Sequence, residues 1–104
     1  GVMDVVWNFF AAVRDRWPDS WSNFGRGNVL VRTSGFRSFM RFLRPAYLHL
    51  VEPGKIPSIE DFSVLMRKVT LAETDLVVER YKPGSSGEAA LYNDLVMQTE
   101  VDDR

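Results

Sequence analysis

The chain has 104 residues, no Cys, one His and a net charge of −1, and 45% of its residues are hydrophobic. This length favours a single domain that buries about two-thirds of its unfolded surface. The composition excludes a disordered chain, and the missing Cys excludes disulfides and a thiol nucleophile. One His and no Cys supply too few ligands for a typical zinc site. Since no apolar run reaches the roughly 18 residues that span a bilayer and no signal peptide is present, we expect a cytoplasmic domain with no cofactor and no membrane partner.

The first predicted helix covers about Met3 to Arg16. Its apolar residues recur at steps of three and four, as one face of a helix requires: Val6, Phe9, Phe10, Val13 and Trp17. Pro18 ends it, because proline disfavours a helical residue before it. A loop is then expected from Asp19 to Gly27. The short apolar run at 29–31 is compatible with a strand or with the first turn of a helix, and its length does not decide between them.

The second long helix is expected from about Gly35 to Leu50, with Thr33 or Ser34 as its N-cap. Its apolar stripe also follows helical spacing: Phe36, Met40, Leu43, Tyr47 and Leu50. Pro45 lies inside this pattern, so a kink or a split is predicted there.

Two shorter helices are expected in the second half of the chain. The first opens at Ser58, whose spacing to Asp61 is that of a capping box. Its apolar face is Phe62, Leu65, Met66 and Val69. Residues 70–81 indicate a loop with room for a short strand at 76–78, and residues 82–87 indicate a turn. The last helix covers about Glu88 to Gln98. The whole chain therefore predicts a mainly α fold, a small bundle of four to five helices with room for one or two very short strands.

Charge is distributed unevenly along the chain. Residues 1–51 carry seven Arg and three acidic residues, whereas residues 52–104 carry six basic and eleven acidic residues. No acidic residue lies between Asp19 and Glu52, and five arginines do: Arg26, Arg32, Arg37, Arg41 and Arg44. The last three are spaced i, i+4, i+7, which places them in one stripe of the second helix.

This arginine stripe is a candidate nucleic-acid-binding surface, because the planar fork of Arg suits bidentate contacts with phosphate. Arg26 and Arg32 would stand at its edge. The structural alternative is a solvated face, or a face that pairs with the acidic second half, as charge runs more often do. An acidic protein partner is the third alternative.

Three other features of the sequence are compatible with a site. The turn before the last helix is a weak anion-binding candidate through Ser85, Ser86 and Gly87, but it lacks the spacing and the Lys of a P-loop, which favours a serine cap. His49 near Glu52 is a general base without the rest of an active site. The three Trp residues are expected in the core, although one that is exposed would mark a binding surface. No catalytic residue and no metal ligand is predicted.

Two segments together resemble a known family. Residues 7–21 read WNFFAAVRDRWPDSW, and residues 29–36 read VLVRTSGF, an apolar run followed by a Thr-x-Gly-Phe turn. Over about residues 5–45 the chain resembles the C-terminal region of DGQHR-motif proteins, which include DndB-like proteins linked to the regulation of DNA phosphorothioate modification. The resemblance implies a DNA-associated context and an upstream domain similar to ParB-like nucleases. Residues 1–104 would then form a single helical domain, the C-terminal fragment of a longer protein. The Asp-Gly-Gln-His-Arg motif itself is absent, so no catalytic residue is carried over.

Two functions follow from these observations. The first is a non-catalytic helical accessory domain of a DGQHR-type protein, for assembly or for contact with the DNA backbone. The alternative is a homo-oligomer interaction module that pairs the basic first half of one copy with the acidic second half of another. The partners left open are DNA phosphates, a second copy of the chain and the upstream domain of its parent protein. An enzyme has the least support.

Overall fold

A computed structural model describes residues 1–22 and 33–101. Its α-helices in this part of the chain are α1 (Val2–Arg16), α2 (Pro18–Ser22), α3 (Thr33–Leu50), α4 (Ile59–Met66) and α5 (Ser85–Thr99), with a 3-10 helix at Glu73–Asp75. The described ranges contain no strand longer than an isolated bridge residue. The mainly helical bundle predicted from the sequence is therefore confirmed. The apolar run at 29–31 lies outside the described residues.

Helices α1 and α4 pack against each other, and both were predicted well from their patterns. In α1, Phe9 and Val13 are fully buried. The capping box of α4 is formed, because Asp61 N donates to Ser58 Oγ at 3.1 Å and Ser58 N donates to Asp61 Oδ2 at 2.9 Å. All four residues of the predicted α4 face are buried: Phe62, Leu65, Met66 and Val69. Here a one-sided apolar pattern was sufficient to identify the core face.

Helices α3 and α5 form the second packed pair. Ser38 of α3 is fully buried, and its Oγ lies 2.8 Å from the carbonyl oxygen of Glu88 on α5. An aromatic cluster joins the two pairs, because the ring of Phe9 lies 5.4 Å from that of Phe62 and 6.2 Å from that of Phe42. The core therefore lies between the α1–α4 pair and the α3–α5 pair.

The core face of α3 differs from the apolar stripe that its spacing picks out. Phe39, Phe42 and Ala46 are fully buried, whereas Phe36 and Met40 of the predicted stripe are exposed. Both sets have helical spacing, so periodicity alone does not distinguish them. A kink or a split is predicted at Pro45, and α3 continues through this residue as one helix, so it is not split there. The helix begins at Thr33, which places the predicted cap residues inside its first turn.

The loop expected after Pro18 begins with a short helix instead. Pro18 is the first residue of α2, a position where its missing N–H costs nothing. The chain around this junction is fixed to the segment that follows α4: Trp17 Nε1 donates to the carbonyl oxygen of Leu71 at 2.9 Å, and Arg16 donates to that of Val69 at 2.7 Å. Trp17 is fully buried, as expected.

Helix α5 begins three residues before the predicted Glu88. Its N-cap is Gly84, whose φ of 100° suits glycine, and no side chain caps the helix. The prediction that Ser85 or Ser86 caps it is therefore wrong: both lie within the first turn. The reason is that Gly84, which precedes both serines, adopts the N-cap conformation.

Candidate interaction surface

The structure describes three of the five candidate arginines, and all three are exposed on α3. Arg26 and Arg32 lie outside the described residues. Within the described part of the chain, Arg37 and Arg44 make no hydrogen bond and no ion pair. They are seven residues apart, which corresponds to about 10 Å along the helix.

Arg41 lies between them in the stripe but contacts α5. Its guanidinium lies 4.3 Å from the ring centroid of Tyr92, and its Nη1 is 3.5 Å from Glu88 Oε2. This contact joins the basic first half of the chain to its acidic second half within one molecule. Arg41 is therefore less available to a partner than Arg37 and Arg44.

The weak anion candidate at the start of α5 gains no support from its geometry. Ser85 and Ser86 are exposed, and Gly87 is buried against the Lys82 backbone. Glu88 occupies the first turn, so a carboxylate already lies in the positive field of the helix N-terminus.

An apolar groove runs between α1 and α3, with a volume of about 510 Å³. Its walls are Val2, Val5 and Val6 from α1 and Met40, Leu43 and Tyr47 from α3. Ile56, from the connection between α3 and α4, and Arg44 complete the lining. We call this feature the α1/α3 groove. Arg44 is its one charged side chain among the described residues, apart from the terminal amino group of Gly1.

Exposed apolar side chains surround the groove. Val2 is 79% exposed and Ile56 44% exposed. On the outer side of α1, Met3 and Trp7 are 78% and 69% exposed, and they stand three residues before Val6 and Phe10 on the same helix. Phe36 of α3 is 52% exposed and stacks on Phe10 of α1, with ring centroids 5.4 Å apart. The apolar surface therefore continues from α1 across the groove to α3.

His49 and Glu52 do come together, in a separate depression of about 310 Å³ that also includes Lys55 and Asp61. The Asp61 carboxylate accepts a hydrogen bond from the Ser58 backbone N–H, as part of the α4 cap. Among the described residues no serine hydroxyl lines this depression, so a nucleophile beside the base is missing there.

The described residues contain no group of three or more His, Asp or Glu side chains that could hold a metal ion. None of the helices in this part of the chain is long and apolar enough to cross a membrane.

The groove was not predicted from the sequence. The apolar spacing assigns Val6 and Met40 each to a single helix, and no pattern within one helix shows that two helices leave a gap between them. One signal was available: α3 carries more apolar positions than a single core face needs, and those left over line the groove.

Comparison with known proteins gives no relative: no protein-family model, no curated protein and no solved structure matches this chain. The resemblance of residues 5–45 to the DGQHR-motif proteins therefore stays a prediction.

Proposed function

We propose that this chain is a non-catalytic accessory domain for assembly, which binds a helical segment of a partner protein in the α1/α3 groove. The observation that carries the proposal is the exposed apolar surface that Val2, Met40 and Ile56 form in the lining of that groove. Large contiguous apolar patches on a folded domain mark interaction sites.

The shape of the groove favours a helix as the bound element. Its α3 wall extends from Met40 to Tyr47, which at about 1.5 Å per residue is about 10 Å, or two helical turns. An apolar trough between two helices receives the apolar face of a third helix through residues spaced i, i+3, i+4 and i+7. A segment of this length buries a small interface, which is typical of reversible association.

The experiment is a selection from a phage-displayed library of 14-residue helical peptides, panned against the whole chain. We expect enriched peptides with an apolar stripe, whose synthetic forms bind at least tenfold more weakly to Met40→Asp, because a carboxylate in the groove has to be desolvated. Val64→Asp is the matched control, since Val64 is an exposed valine on α4 outside the groove. Failure to enrich any peptide, or equal binding to Met40→Asp, would contradict the proposal.

A second candidate function, contact with the DNA backbone, is favoured by the exposure of Arg37 and Arg44 without partners among the described residues. Titration of labelled duplex and single-stranded DNA at low and moderate salt tests it. If these residues contact phosphates, Arg37→Ala with Arg44→Ala lowers the slope of log K against log salt by about 2. Replacement of Arg67 and Lys68, at the end of α4, should leave that slope unchanged. Absence of binding at low salt would remove this candidate.

A further inference from the structure

We infer that the helix bound in the α1/α3 groove carries carboxylates along one flank, two turns apart, which pair with Arg37 and Arg44. The inference rests on the proposed function and adds the chemical class of the partner: an acidic amphipathic helix.

Arg37 and Arg44 lie beside the α1/α3 groove. Met40 lines the groove, Arg37 precedes it by three residues and Arg44 follows it by four. Residues three and four apart on a helix are neighbours on its surface, so the two guanidinium groups flank the same apolar side chain. Arg44 is itself part of the groove lining. A helix seated on Met40 therefore lies along both arginines.

The guanidinium groups of Arg37 and Arg44 are available to a binding partner. Arg37 and Arg44 are exposed and have no ion pair within residues 1–22 and 33–101, whereas Arg41 contacts Glu88 and Tyr92. None of the described residues that line the groove is acidic. Within the described ranges, the α3 rim of the groove is therefore positively charged and has no acidic partner, which complements a binding partner with negative charge.

A second copy of the chain is disfavoured as the molecule bound in the groove. In a two-fold dimer the same patch meets itself, so the α3 rims of both copies would lie in one interface. Arg37 and Arg44 would then face like charges, which disfavours such pairing. A partner of different sequence avoids this repulsion.

DNA is also disfavoured as the molecule bound in the groove. In the part of the chain that the structure describes, Arg37 and Arg44 are the two arginines without a partner, which is a small electrostatic footprint for nucleic-acid binding by a chain of net charge −1. Nucleic acid also offers no apolar stripe to cover Val2, Met40 and Ile56. An acidic amphipathic helix satisfies both the apolar wall and the charged rim.

The test uses three designed 14-residue peptides with acetylated and amidated ends. They share an Ala-based helical sequence with Leu at i, i+3, i+7 and i+10, and they carry two Glu, two Gln or two Lys seven residues apart on one flank. Affinity is measured by fluorescence anisotropy at low and moderate salt. We expect the order Glu, Gln, Lys, with about tenfold between Glu and Lys and a difference that shrinks in salt.

A charge reversal provides the second readout. Arg37→Glu with Arg44→Glu should invert the order, so that the Lys peptide binds best, without loss of the fold because both side chains are exposed. The matched control is Arg67→Glu with Lys68→Glu, which makes the same change in net charge at the exposed end of α4 and should preserve the wild-type order.

Four other results would contradict either the acidic flank of the bound helix or the proposed function. Equal binding of the three peptides, sensitive to Met40→Asp, overturns the acidic flank and leaves the proposed function standing. No binding of any peptide, together with an unsuccessful library selection, overturns both. Displacement of the Glu peptide by duplex DNA would assign the arginines to phosphate. Dimerisation that Met40→Asp abolishes would assign the groove to a second copy.

Discussion

At the scale of single residues, Tyr81 shows how burial and one hydrogen bond set a group's chemistry. Its ring is buried, and its hydroxyl donates to Asp94 Oδ2 at 2.5 Å. Burial, followed by the bond to Asp94, raises the pKa of Tyr81 to about 12, against an ordinary value of 10.0. The protonated hydroxyl is thus favoured in the folded state. Nothing in the local sequence indicates this pair, because Tyr81 and Asp94 lie in different segments.

The pH dependence of stability follows from this pKa. Because the folded-state value is raised, the contribution of Tyr81 is complete below pH 10 and is lost as the pH rises from 10 towards 12. Tyr81→Phe should lower the free energy of unfolding at neutral pH by about 1–3 kcal/mol, since the Asp94 carboxylate loses its donor. It should also flatten the fall in stability between pH 10 and 12.

Urea unfolding of both proteins across that pH range measures the effect. Tyr47→Phe is the control, because the Tyr47 hydroxyl makes no hydrogen bond to the described residues. An equally steep alkaline loss of stability in Tyr81→Phe would contradict the assignment to Tyr81.

At the scale of elements, the number of apolar faces on a helix decides how well its spacing predicts the buried side chains. Helix α4 carries one apolar face, and its spacing identifies the side chains that are buried. Helix α1 buries Phe9 and Val13, as its spacing predicts, but Trp7, which was expected in the core, is 69% exposed. Helix α3 carries apolar residues on two faces. Its Phe39 and Phe42 face is buried and its Phe36 and Met40 face is exposed, and only tertiary packing determines which is which. Met40 of this exposed face lines the α1/α3 groove, so the groove could not be predicted from the spacing of apolar residues.

The start of α5 was mispredicted because it depends on a close backbone approach. A Cβ on Gly87 would lie 1.6 Å from the carbonyl oxygen of Lys82, so the turn closes against the helix only when residue 87 has no side chain. The local sequence shows a glycine-rich turn but not which glycine is required.

Gly87→Ala should therefore destabilise the fold, although alanine is the better helix former. The Lys82 backbone would have to move, and strain of this kind costs about 1–3 kcal/mol. Ser86→Ala is the matched control, because Ser86 is exposed in the same turn and should change stability little. Thermal or urea unfolding compares the two. A Gly87→Ala protein as stable as the wild type would show that the turn relaxes freely.

At the scale of the whole molecule, the uneven charge is partly neutralised inside one chain. Arg41 of the basic half pairs with Glu88 of the acidic half, while Arg80 pairs with Asp75 within the second half. These internal contacts reduce the charge left for pairing between copies. The homo-oligomer alternative stays a prediction, with a salt-dependent mass as its signature.

The two helix pairs are expected to unfold together, because one aromatic cluster forms the junction between them. Phe42 of α3 contacts Phe9 of α1, and Phe9 contacts Phe62 of α4. Phe42→Ala removes the fully buried ring that α3 contributes to this cluster, and large-to-small changes of this kind cost about 3–5 kcal/mol. That is a large share of the roughly 5–15 kcal/mol that stabilises a domain.

Urea unfolding followed by Trp fluorescence and by far-UV circular dichroism tests this coupling. Trp17, the C-cap of α1, contacts Phe39 of α3 with ring centroids 5.6 Å apart. Since Trp17 is fully buried, its part of the Trp emission reports the junction, whereas dichroism reports all helices. We expect coincident transitions in the wild type and a lower midpoint in Phe42→Ala. Phe36→Ala is the control, since that ring is half exposed, stacks only on Phe10 among the described rings, and its loss should cost about 1 kcal/mol. Separate transitions for the two probes in the wild type would mean that the pairs are independent, and the α1/α3 groove would then lie between units that do not share one folding transition.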